Sequence, residues 1–185
     1  MNVRMIQISS LLLIASFVNC AKRETINMSR IYAAKEQVEK NYAQAIDERN
    51  IAQEKLYVTK EGKIYKRTKD IYNNFWISHH LVYPNCPELV QASENLRATE
   101  EYNELLSLKK KVMYHEWKLM GLEEMIHNVE AKKDYSDIQA MHSGLNSRFN
   151  FFPSSPTRDR VYDELSNLIA VEEYELVDTA MQIYQ

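Results

Sequence analysis

Glu124-Met125-Ile126-His127 carries the chain's one Glu-x-x-His spacing. Two such motifs, facing inward from different helices together with further glutamates, hold the di-metal centres of helical bundles. Gln139-Ala140-Met141-His142 repeats the spacing with an amide where the carboxylate should be, so half of that donor set is missing. Glu116, Glu123 and His127, at spacings of seven and four, could share a helical face and offer carboxylate and imidazole ligands. Charged residues beside an apolar helix seam account for the same pattern. His79, His80 and Cys86 are a further trio. Adjacent histidines on a helix point about 100° apart, which suits one shared metal badly. A Cys/His nucleophile needs an oxyanion site and an orienting group, and no pattern here announces either. These groups therefore assign no catalytic, cofactor or metal residue, and the expected protein is not an enzyme.

Composition narrows the classes further. The chain has 185 residues, 45% of them hydrophobic and 26% charged, which is too apolar for a disordered chain. Only 3 glycines and 4 prolines occur. Phosphate loops, tight hairpins and dinucleotide turns all need glycine, so these readings fall away. A formal charge of −3 argues against a dedicated nucleic-acid binder, and 2 cysteines make no disulfide framework.

The expected fold is all-α: an elongated helical hairpin or bundle built from long, coiled-coil-like helices. Its organising stretch is Leu105–Val129. Leu105, Val112, Leu119 and Ile126 recur every seven residues, and Leu108, His115, Leu122 and Val129 interleave with them. This is an a/d seam that must bury against a partner. His115 is its one titratable member, a register-setting polar residue or a pH-sensitive break. Leu106, Met113, Trp117 and Met120 form a second apolar stripe beside it, which predicts a central helix.

Residues 21–82 are expected as an N-terminal helical arm, with Gly62 as the first breaker. In its first helix Ile31, Val38, Ala45 and Ala52 are seven apart; in the second, Ile64, Ile71, Phe75 and Val82 form the stripe. Tyr83–Pro87, with two prolines three apart, predicts a chain reversal. Residues 88–185 are expected as a bundle: one helix from Pro87 to about Lys133, a shorter one over about Tyr135–Phe149 with an end blurred by Gly144, a loop at 150–156, and a last helix that Ser155 caps and Pro156 opens. No internal repeat is evident.

Met1–Cys20 reads as a secretory signal: Arg4 supplies the positive start, and Ile6–Val18 is an apolar stretch of 13 residues interrupted only by Gln7 and small serines. That is too short for a bilayer, which needs about 20 residues. Cleavage after Cys20 and lipidation of Cys20 are both open, so the protein is expected outside the cytoplasm, secreted or envelope-associated, and anchored if Cys20 carries lipid. Lys60, Lys63, Lys66, Arg67 and Lys69 form a basic cluster suited to an anionic surface. From Arg158 onward there are two basic and seven acidic residues, against twelve basic and eight acidic over 22–70. Opposite ends of opposite charge favour antiparallel packing or head-to-tail association. The function expected is that of an exported, non-enzymatic structural or interaction protein, binding itself or a protein partner through the Leu105–Val129 seam. The alternatives are a helical carrier whose Met113/Trp117/Met120 stripe lines an apolar cavity, and a di-metal helical enzyme.

Overall fold

The computed structural model describes residues 26–79, 86–131 and 136–183. Met1–Cys20, residues 83–85 of the expected turn, His80 and the His79 side chain lie outside the described residues. Within them the protein is all-α, with helices α1 Ser29–Val58, α2 Lys60–His79, α3 Pro87–Arg97, α4 Glu100–Ala131, α5 Asp137–Phe149 and α6 Pro156–Ile183. None of these helices is long and apolar enough to cross a membrane.

The two longest helices, α1 and α4, form an antiparallel pair. On α1, Ile31, Val38, Ala45 and Ala52 are all buried, so one narrow heptad stripe supplies the contact. Three cross-helix contacts fix the direction: Glu48 to Lys111 at 2.7 Å, Lys35 to Glu123 at 3.8 Å, and Tyr32 to Glu130 at 2.8 Å. The Leu105–Val129 seam therefore has a partner in the same chain. Leu105, Val112, Leu122 and Ile126 are buried along it, while Leu108, His115, Leu119 and Val129 are half-buried.

A second face of α4 receives α5 and α6. It runs through Trp117, Gly121, Leu122 and Met125 rather than through Leu106, which is exposed. A Cβ on Gly121 would stand 2.4 Å from Leu165 Cδ1, and one on Gly144 would stand 2.7 Å from the Glu124 carbonyl oxygen. The absent side chains let α5 and α6 approach the α4 backbone. Gly144 does not blur the end of α5; it lies inside a helix that Ser136 caps and that continues to Phe149. Phe149, Leu145, Leu165 and Ile169 complete this larger core with Ile31 and Val38.

The expected continuous helix from Pro87 is broken at Ala98-Thr99, and the arm breaks at Thr59, three residues before Gly62. The two breaks share one chemistry. The Thr59 hydroxyl donates to the Leu56 carbonyl (2.7 Å) and accepts the Gly62 N–H (3.0 Å). The Thr99 hydroxyl donates to the Leu96 carbonyl (2.7 Å) and accepts the Tyr102 N–H (3.2 Å). Each threonine closes one helix and caps the next. The segments are a quasi-repeat: Ala52, Glu54, Leu56, Thr59 and Glu61 recur forty residues on as Ala92, Glu94, Leu96, Thr99 and Glu101. Leu56 and Leu96 meet in a second, smaller core with Ala52 and Leu105. Both arms of the hairpin thus bend at the same level, and α2 and α3 continue beyond the bend.

Half of the apolar stripe expected on α2 is corrected as well: Ile64 and Ile71 are exposed and Tyr65 packs toward the small core instead, while the Phe75 side chain and Val82 lie outside the described residues. That spacing lies within α2, and a single helix's period does not report which of its faces packs on α1 and α3.

Candidate functional site

The densest group of titratable side chains lies where α6 crosses α4. Tyr114 and Lys118 are one turn apart on α4, and Arg160 and Glu164 one turn apart on α6. Each pair alone is the ordinary i,i+4 neighbourhood of a solvated helix. The crossing turns them into one network. Glu164 Oε2 accepts the Tyr114 hydroxyl and Lys118 Nζ, the latter at 2.5 Å, while Oε1 accepts Arg160 Nε at 3.0 Å. The Arg160 guanidinium lies over the Tyr114 ring, 4.8 Å from its centroid.

Burial pulls the Glu164 carboxyl upward. The hydrogen bonds from Lys118 and Tyr114 and the adjacent cationic charge outweigh it and hold the group down at about 2. Burial, then the bond to Glu164, pushes the Tyr114 phenol up. Lys118 is lowered by burial but raised overall by Glu164. At neutral pH the set is a carboxylate saturated with donors, a protonated amine and a neutral phenol. None of these is poised to take or give a proton, and Glu164 has its oxygens already engaged. The chemistry supported is that of a strut between α4 and α6.

His115 sits beside this network, its ring 5.0 Å from Tyr114 in an edge-on arrangement. Burial, then the charges of Lys111 and Lys118, lowers its pKa; Glu164 and Glu48 counter only part of this. Its Nδ1 is buried without a hydrogen-bond partner. Burial and the two lysines thus disfavour the charged form of this half-buried seam histidine.

The other candidates are placed apart. Glu124 is half-buried, and its carboxylate accepts Asn128 Nδ2 from the next turn at 3.1 Å. His127 is exposed, and Glu123 reaches across to Lys35. Among the described residues no three His, Cys, Asp or Glu side chains gather as a metal ion would require. Cys86 is a free thiol at the N-cap of α3, its Sγ 3.4 Å from Glu88 Oε2. Trp117 stacks on Phe152 at 5.0 Å, so the loop at 150–156 covers the aromatic member of the Met113/Trp117/Met120 stripe, while Met113 and Met120 are half-buried.

Sequence reasoning missed Tyr114, Lys118, Arg160 and Glu164. Spacing reports each helix's own pairs, and nothing in a single sequence says which turn of α6 crosses which turn of α4. It also missed Glu172, which is buried where the α6 stripe calls for an apolar residue and binds Arg30 at 3.0 Å. Comparison with protein families, with curated proteins and with solved structures gave no match.

Proposed function

We propose that this is an exported, non-enzymatic helical protein that works by binding protein, itself or another chain. One observation carries the reading. The two ends of the hairpin each present large apolar side chains to solvent: Ile64 and Ile71 on α2, and Val171, Tyr174, Val177 and Met181 on α6. Exposed apolar groups repeated along one helix mark contact surfaces, whereas Tyr114, Lys118, Arg160 and Glu164 are engaged with one another. Export rests on Arg4 and the apolar run Ile6–Val18. With α1 lying along the Leu105–Val129 seam, the contacts of this reading fall on the end faces.

A photo-crosslinking side chain at position 71 or at position 174, in the cell that makes the protein, tests this. Discrete protein adducts at either position are expected. If neither position gives one, and native mass spectrometry of the purified protein shows a stoichiometric metal or apolar ligand, the interaction reading fails.

A further inference from the structure

We infer that the partner of each end face is the opposite end of a second copy, so that the acidic, apolar face of α6 docks head-to-tail on the basic, apolar face of α2. This rests on the interaction reading above and names its partner.

The two faces match in spacing and in sign. Ile64 and Ile71 are seven residues apart on α2, and Tyr174 and Met181 are seven apart on α6. Each pair therefore spans about 10 Å of helix. All four side chains are exposed or nearly half-exposed, from 47% at Ile64 to 72% at Tyr174. Lys60, Lys63, Lys66 and Arg67 flank the α2 stripe, outnumbering Glu61 and Asp70 beside them, and no salt bridge engages Lys60, Lys63 or Arg67 among the described residues. Glu173 and Asp178 flank the α6 stripe, and Glu173 is likewise unpaired. Ile64 also borders a groove of about 380 Å³ between α2 and α3, shared with Ala92 and Asn95, which offers α6 side chains a seat.

Geometry makes the contact intermolecular. α2 packs on α3 and α1 beyond the threonine bend, whereas α6 packs on α4 and α5 at the other end of the hairpin. One copy cannot fold its own α6 onto its own α2 without leaving that core. A contact between two different patches is heterologous, so each added copy leaves a free α2 and a free α6, and assembly continues into a ring or a filament. An anionic lipid surface would satisfy the lysines of α2 but would repel the face of α6. A second copy accounts for both faces.

The test is sedimentation of the purified full chain over a wide concentration range, with Ile71→Ser and Tyr174→Ser as variants. Both side chains are exposed, so circular dichroism should show unchanged helix. The unchanged protein should associate reversibly, and more strongly at low salt. Each variant should lose association by about tenfold or more. An equimolar mixture should regain one contact, between α6 of the Ile71→Ser copy and α2 of the Tyr174→Ser copy, and should stop at dimers. A protein that stays monomeric throughout, or variants that associate undiminished, or a mixture that forms no dimer, overturns the inference. So does monomeric protein that binds phosphatidylserine vesicles through Arg67, since the basic face then belongs to lipid. A crosslinked adduct with a different protein would sink the second copy while leaving the interaction reading standing.

Discussion

At the scale of single residues, charge placement separates support from chemistry. Glu164 is held at about 2 in the folded protein, well below the ordinary carboxylate range. A depressed folded value means that its contribution is complete above the unfolded value of about 4.3 and is lost as pH falls toward the folded one. Unfolding midpoints should therefore drop between about pH 4.3 and pH 2, and Glu164→Gln should flatten this part of the profile while lowering stability at pH 7. A profile unchanged by the substitution would mean that the strut contributes nothing. Little of this was legible beforehand: Lys118 and Arg160 look like solvated helix charges until the crossing of α4 and α6 joins them through one carboxylate.

At the scale of elements, two heptad stripes were legible from periodicity: Ile31–Ala52, buried throughout on α1, and Leu105–Ile126 on α4, buried except for the half-buried Leu119. The breaks were not. Thr59 and Thr99 end helices without proline or a terminal glycine, through hydroxyls that bond backward and forward at once. A signal did exist, in the Ala-x-Glu-x-Leu-x-x-Thr-x-Glu pattern repeated at 52–61 and 92–101. Five matching positions in ten, among residue types common in any solvated helix, do not stand out from composition. Glycine was misread for a related reason: in sequence it marks an end, whereas in α5 it marks a contact. Gly144→Ala should cost about 1–3 kcal/mol, since its methyl meets the rigid Glu124 carbonyl and crowding there exceeds the roughly 1 kcal/mol gained in helix propensity. Gly121→Ala should be milder, because it meets the flexible end of Leu165 first. Thermal unfolding of the two variants checks that order.

At the scale of the whole molecule, a larger and a smaller core lie along one bent hairpin, with a basic cluster on α2 and acidic residues along the last turns of α6. The charge asymmetry and the helical class were readable from composition. The exposure of Ile64 and Ile71 was not, because α2 packs Tyr65 on the smaller core and leaves the isoleucines to solvent. The central claim is that an interaction scaffold stands on packing along α4, with no metal chemistry at Glu124 and His127. Leu122 is fully buried in the larger core, and Leu122→Ala should cost roughly 2–5 kcal/mol. Glu124→Gln keeps an oxygen for Asn128 and should stay within about 0.5 kcal/mol. The decisive measurement is thermal unfolding of these two variants and the unchanged protein, each with and without a strong chelator. The account predicts a large drop for Leu122→Ala alone and no effect of chelator on any of the three. Strong destabilisation by chelator and by Glu124→Gln, with Leu122→Ala nearly silent, would contradict it and put a metal centre in its place.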